Sequence, residues 1–183
     1  MLGADRARRV PWKNGLGSTL EIASDAASPG EAWTWRLSIA DVPARAPFSE
    51  LPGVDRAIAC LEGEGMRLLH EGAWIAVPRA GVAYAFAGED AVLGDPVGEG
   101  VRDVNLMVRR DRWRAEMRLV RSGHDGATAP LVIVHAAGRE SVAIRCGPMD
   151  GTLAPGATLV AGGEVDVRAA DGLPFVLGLL WPR

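Results

Sequence analysis

Three stretches of this chain alternate apolar and polar side chains with the period of two that belongs to a β-strand. In residues 33–40, Trp33, Trp35, Leu37 and Ile39 fall on one face, with Thr34, Arg36, Ser38 and Ala40 on the other. Residues 101–109 set Val104, Leu106 and Val108 against Asp103, Asn105 and Met107, and residues 18–23 set Leu20 and Ile22 against Thr19, Glu21 and Ala23. Shorter apolar runs at residues 57–61, 73–77, 82–86, 131–135, 141–145, 158–160, 164–168 and 175–181 predict further strands. The 23 glycines and 12 prolines fall between them at turn-like intervals. Segments with a helical period are scarce, so the pattern predicts an all-β sandwich or barrel.

A faint internal repeat suggests two such units. Ile58-Ala59-Cys60 leads through a glycine-rich turn to Gly72-Ala73-Trp74, and Ala143-Ile144-Arg145-Cys146 leads to Gly156-Ala157-Thr158. The expected division is a first barrel over residues 1–115 and a smaller second barrel over residues 116–183, with the seam in the arginine-rich stretch around residues 110–128.

At 183 residues and 48% hydrophobic content the chain can bury a sizeable core without disulfide staples. A net charge of -3 and a pI near 5.6 argue against a nucleic-acid partner. The arginines at 109, 110, 112, 114, 118 and 121 are interleaved with Asp111 and Glu116 and read as a solvated face. Residues 1–9 carry no apolar signal core and no apolar run reaches transmembrane length, so a soluble cytoplasmic protein with no membrane partner is expected. Cys60 and Cys146 lie in apolar runs without metal or redox spacing and are expected as reduced, buried thiols.

The candidate chemistry sits on the polar faces. If the strands carrying Glu21, Arg36 and Asp103 share one barrel, Arg36 with Ser38, Asp103 with Asn105, and Thr19 with Glu21 converge in its lumen. Charges are rarely buried unless paired or ligand-bound. Alternation fixes two faces without saying which is inside, so a solvated outer face is the competing reading. The loop Pro47-Phe48-Ser49-Glu50-Leu51-Pro52-Gly53 delivers Asp55 and Arg56 to the start of a strand, either to orient a ligand carboxylate through the guanidinium fork or as a structural ion pair. Lys13, the single lysine, stands in a turn beside Asn14 and Gly15 that opens onto a strand. The following Gly15-Leu16-Gly17-Ser18-Thr19 lacks P-loop spacing. His70 and His124 are expected in turns and His135 at a strand end, with no metal-ligand spacing among them and no Ser-His-Asp arrangement.

Taken together, Pro11-Trp12-Lys13-Asn14-Gly15 with Thr19 and Glu21-Ile22-Ala23, Trp35-Arg36-Leu37-Ser38-Ile39-Ala40, Pro47-Phe48-Ser49 with Pro52-Gly53-Val54-Asp55-Arg56, Phe86-Ala87-Gly88-Glu89, and Asp103-Val104-Asn105-Leu106-Met107 with Arg109-Arg110 resemble the HutD/Ves family over most of residues 10–110. One departure is Ala46, where a glycine is expected before Pro47-Phe48-Ser49. The resemblance implies cupin-like (RmlC-like jelly roll) β-barrels in tandem, a bicupin, and an association with bacterial histidine utilisation. Cupins that bind metal use clustered histidines with a glutamate. This chain has no such cluster, so no metal and no cofactor are expected.

Three functions follow as expectations. The first is a non-catalytic sensor or modulator that binds a small anionic intermediate such as urocanate, formylglutamate or formate. Arg36 would grip the carboxylate, Asp103 and Asn105 would read its polar hydrogens, Lys13, Asn14 and Glu21 would close the mouth, and Phe48 would supply an apolar wall, with Ser38, Asp55 and Arg56 nearby. The second is a metal-free isomerase or hydrolase with Glu21 or Asp103 as general base and Lys13 as electrophile. The third is a structural or interaction role for the apolar second half, which would support the first barrel or form a homodimer, with residues 175–181 as a closing strand or interface.

Overall fold

The structure, a computed structural model, describes residues 8–11, 17–28 and 31–183. Its strands are β1 (Arg8–Pro11), β2 (Ser18–Ser24), β3 (Trp35–Asp41), β4 (Ala46–Pro47), β5 (Val54–Glu62), β6 (Gly65–His70), β7 (Ala73–Ala76), β8 (Gly81–Val82) and β9 (Tyr84–Ala87). There follow β10 (Leu93–Val97), β11 (Arg102–Arg109), β12 (Trp113–Val120), β13 (Gly123–Ala136), β14 (Val142–Cys146), β15 (Met149–Leu153), β16 (Thr158–Ala169) and β17 (Phe175–Pro182). No helix occurs among the described residues, as the strand-period patterning requires.

The strands form three antiparallel sheets. The first runs β1-β2-β3-β11-β5-β9, the second β4-β10-β6-β7, and the third β15-β14-β16-β13-β17-β12-β8. The first sheet is the middle layer. Its apolar face (Trp35, Leu37, Ile39, Ala57, Ala59, Leu61, Val104, Leu106 and Val108) packs on Met117, Leu119, Ile133, Val176 and Leu180 of the third sheet. Its other face meets the second sheet around Ile58, Cys60 and Phe86 from one side and Met66 and Leu68 from the other. The third sheet encloses a separate core of its own, including Val132, Val134, Val165, Val167, Phe175 and Leu177.

Several strands differ from the alternation reading for local reasons. β3 begins at Trp35, leaving Trp33 outside the strand. A bulge between Glu21 and Ala23 returns Ala23 to the core face beside Ile22, whereas strict alternation placed it opposite. The run at 82–86 is two strands, because the chain passes from the third sheet (Val82 opposite Arg118) to the first (Tyr84 opposite Ile58) across buried Ala83. Residues 158–160 and 164–168 are parts of the single strand β16. A division at 115/116 falls within β12, which pairs with β17 from Trp113 onward. Ala46 takes the expected glycine's place in β4 without strain, since Glu71 is the only described non-glycine residue with positive φ. Glu71 (φ 50°) and Gly72 (φ 78°) form the two-residue turn joining β6 to β7, as a type I′ hairpin demands.

The close approach of the first and third sheets depends on Gly178. A Cβ there would lie 3.3 Å from Leu106 and 3.4 Å from Ile133. Leu106→Ala should therefore leave a cavity at the sheet interface and lower unfolding free energy by about 2–5 kcal/mol, measured by denaturant titration. His135 is buried with its Nδ1 3.1 Å from Thr158 Oγ1, and burial pushes its pKa down from 6.5 to about 4, with the Arg102 charge acting in the same direction. The unfolded chain then binds the extra proton between these values, so stability is full above about 6.5 and falls as pH drops toward about 4. Comparing stability from neutral pH to about pH 4 in the wild type and His135→Gln should show that this part of the acid loss is absent in the variant.

Candidate functional site

The register of the first sheet arranges the polar face in rows. Arg36 of β3 and Arg56 of β5 both lie opposite Met107 of β11, and Phe86 of β9 lies opposite Arg56. In the next row Glu21, Ser38, Asn105, Ile58 and Tyr84 follow one another across five strands. Ala40, Asp103 and Cys60 make the third row. This face looks into the space between the first and second sheets. Asp103 is 1% exposed, Ser38 2%, Asn105 3% and Arg56 7%, so the solvated-face reading is excluded for these four.

The two arginines are held differently. Arg56 lies between aromatic rings, its guanidinium carbon 4.7 Å from the Phe48 centroid and 5.2 Å from that of Phe86. Its Nη1 donates to the Ser49 carbonyl at 3.4 Å. Gly94 makes room for this wall, because a Cβ there would stand 2.8 Å from Phe48. Arg36 stacks on Trp33 at 4.8 Å, donates to Met107 Sδ at 3.4 Å and lies 3.9 Å from Glu21 Oε2. Alternation set Trp33 on the strand face of Trp35, opposite Arg36; outside the strand, it instead covers the Arg36 guanidinium.

The polar groups are under-partnered. Arg36 Nε, Arg56 Nε, Asp103 Oδ1 and Asn105 Oδ1 are buried and have no hydrogen-bond partner among the described residues. Leaving such atoms dry and unpaired costs on the order of 1–3 kcal/mol each. Burial lowers the Arg56 pKa to about 10, with Asp103 opposing and the Arg36 charge adding to the shift. Burial pushes Asp103 up to about 7 despite the opposing Arg56 charge. Burial also raises the Cys60 thiol, against the charges of Arg79 and Arg121, which makes it a poor nucleophile.

Of the expected site residues, the structure brings Glu21, Arg36, Ser38, Phe48, Arg56, Asp103 and Asn105 to this one lumen. Lys13 and Asn14 lie outside the described residues. Asp55 does not join its neighbour. Successive strand residues face opposite ways, and Asp55 pairs with Arg110 at 2.6 Å, while Arg110 also holds Glu89 at 2.7 Å. The expected Asp55–Arg56 pair is therefore not formed: Asp55 takes Arg110 as its partner, and Arg56 turns to the opposite face. Tyr84, Phe86 and His70 were missed as lumen residues. Their signal was the alternation of Tyr84 with Phe86 and of Met66, Leu68 and His70. His70 ends β6 and His124 lies at the start of β13, which corrects their expected positions in turns, while His135 stands at the end of β13 as expected. Two surface clefts, of about 220 and 480 Å³, are lined by Arg145, Gly147, Glu164 and Asp166, and by Thr34, Arg112, Trp113 and Arg183 among others, away from the lumen.

An uncharacterised 21.2 kDa protein of Pseudomonas putida, from the hutC 3′ region, is 40% identical over 118 residues, 64% of this chain and 62% of the relative. Protein Ves of Cronobacter sakazakii is 38% identical over 109 residues, 59% of each chain. The chain thus spans about three fifths of the length of these curated relatives. A crystal structure of a conserved protein of unknown function from Pseudomonas aeruginosa matches with a TM-score of 0.84 at 35% identity, covering 98% of this chain and 96% of that one. HutD from Pseudomonas fluorescens, determined in a formate condition, matches with a TM-score of 0.79 at 30% identity, covering 100% and 97%. A cupin 2 conserved barrel domain protein from Leptotrichia buccalis, 11% identical with a TM-score of 0.54 over 93% of this chain and 92% of that one, shares the fold alone. The fold is cupin-like, the family is associated with the histidine-utilisation locus, and the match of residues 4–172 places this chain in the HutD family.

Proposed function

We propose that the protein binds a small carboxylate anion in the lumen between its first two sheets, without catalysis, and through this binding senses or modulates histidine utilisation. The observation that carries the reading is the pair of unpartnered guanidinium nitrogens, Arg36 Nε and Arg56 Nε, on either side of Met107. Adjacent strands lie about 4.8 Å apart. Two arginines separated by one strand therefore have Cα atoms about 10 Å apart, and their long side chains, reaching past Met107, suit a carboxylate that accepts from both. Asp103 and Asn105, each with an unpartnered oxygen, suit the polar hydrogens of such a ligand or of waters around it. Phe48 and Phe86 hold Arg56 in place and supply the apolar wall. Urocanate, formylglutamate and formate fit this class. The formate condition of the Pseudomonas fluorescens HutD structure is in keeping with it.

A second reading has one observation in its favour. A carboxyl group poised near neutrality, as Asp103 is at about 7, has the proton affinity of a general base in a metal-free isomerase or hydrolase. Turnover of a pathway carboxylate by the purified protein, abolished in Asp103→Asn, would establish that reading instead.

Formate at about a hundred times its Kd should raise unfolding free energy by about 2.7 kcal/mol and the melting temperature by roughly 5–10 °C. Arg36→Ala should remove that shift while leaving a cooperative transition; a shift of equal size in the variant contradicts the assignment. Protonated Asp103 leaves the arginines with less compensating negative charge, so formate should bind more tightly as pH falls through about 7. Calorimetric titration across that range should show the dependence flattened in Asp103→Asn. For the free protein the sign is the same. A carboxyl whose folded pKa is raised from 3.8 to about 7 contributes stability at low pH that is lost as pH rises through about 7.

A further inference from the structure

A chain of hydrogen bonds crosses from the first sheet to the second beside the arginines. His70, 7% exposed, ends β6 on the face it shares with buried Met66 and Leu68. Its Nδ1 lies 2.8 Å from the Tyr84 hydroxyl of β9, and its Nε2 lies 3.1 Å from Asp90 Oδ2 in the turn that follows β9. The same Asp90 oxygen accepts the Ala87 backbone N–H at 3.0 Å, which fixes the carboxylate against the end of the strand.

The direction of each hydrogen follows from what each group can do. A carboxylate only accepts, so Nε2 carries the ring hydrogen, and in the neutral imidazole Nδ1 is then a bare acceptor. The Tyr84 hydroxyl fills it by donating. Its own hydrogen is thereby committed to His70, and the lone pairs of its oxygen remain for another partner. Tyr84 is not deeply enclosed, and burial together with the charges of Glu71 and Asp90 raises its pKa, so it keeps that hydrogen.

Register places the Tyr84 residue diagonally beside Arg56. Tyr84 stands opposite Ile58 in the row that holds Asn105, and Arg56 stands opposite Phe86 in the neighbouring row. Tyr84 and Arg56 are therefore diagonal neighbours on one face, with Cα atoms about 7–8 Å apart. The Phe86 ring touches both, stacked on Tyr84 at 6.2 Å and facing the Arg56 guanidinium at 5.2 Å.

We infer that Tyr84 is a specificity-determining acceptor of the lumen site, oriented by His70 and Asp90, and that the ligand is a small carboxylate bearing an N–H or O–H donor. This rests on the reading that the arginines hold the carboxylate. The complementary ends are a carboxylate on Arg36 and Arg56 and a donor on Tyr84. A ligand with an acceptor in the donor's place sets two oxygens against each other and leaves both unpaired.

The test is calorimetric titration of wild type and Tyr84→Phe with N-acetylglycine, with acetoxyacetate (the same shape with an ester oxygen in place of N–H), and with formate. Wild type should prefer N-acetylglycine by about tenfold or more. Tyr84→Phe, which keeps the ring, should bind the two isosteres alike and formate as wild type does. In the free protein, ¹⁵N shifts of His70 should report the Nε2–H tautomer. The inference is overturned by equal binding or equal rejection of the isosteres in wild type, by a preference that survives in Tyr84→Phe, or by an Nδ1–H tautomer. Failure of formate to bind wild type would instead contradict the carboxylate reading itself, and the inference would fall with it.

Discussion

The first sheet must bury two faces of opposite character, and the rest of the structure follows from that requirement. One face is apolar throughout and is covered by the third sheet, at van der Waals distance over Gly178. The other carries Arg56, Asp103 and Asn105 into the interior beside the second sheet, with Arg36 partly exposed next to them. Burying charges is tolerable only if they compensate one another, and here the compensation is partial. Arg36 has Glu21 at 3.9 Å, while Arg56 is held mainly by rings and one carbonyl and feels Asp103 only through the field. The shifts of Arg56 to about 10 and Asp103 to about 7 express this unfinished pairing. An anion between the arginines would complete it.

The aromatic residues of the lumen serve the charges as much as the core. Phe48 and Phe86 meet edge to face, with centroids 6.0 Å apart, and both lie against the Arg56 guanidinium. Such stacking holds a cation in a dry site without consuming its hydrogen bonds. Tyr84 and His70 extend the cluster, and their hydrogen-bonded chain to Asp90 joins the two sheets at one end of the lumen. The type I′ turn at Glu71-Gly72 begins directly after His70 and sets the register in which β7 returns beside β6. Fold and site share the same atoms here.

Much of this was legible in the sequence. Alternation sorted Arg36 and Ser38 from Leu37 and Ile39, and Asp103 and Asn105 from Val104 and Leu106, and both sortings match the structure. Which face lay inside was not legible, because a period of two fixes faces and the covering sheet comes from distant sequence. Asp55 and Arg56 illustrate the limit of reading neighbours together: adjacent in the chain, they serve opposite faces. The bulge at Glu21–Ala23 and the change of sheet at Ala83 break periodicity for tertiary reasons that no local pattern carries. The His70 chain was equally hidden, since Tyr84 and Asp90 stand 14 and 20 residues away from it and meet it only across the two sheets.

The most direct test of the account is a crystal structure of the protein with N-acetylglycine bound. The account predicts the carboxylate between Arg36 and Arg56, accepting from both Nε atoms, with the amide N–H toward Tyr84. A ligand seated in either surface cleft, or a lumen in which the two guanidinium groups stay without an anion at saturating ligand, would contradict it.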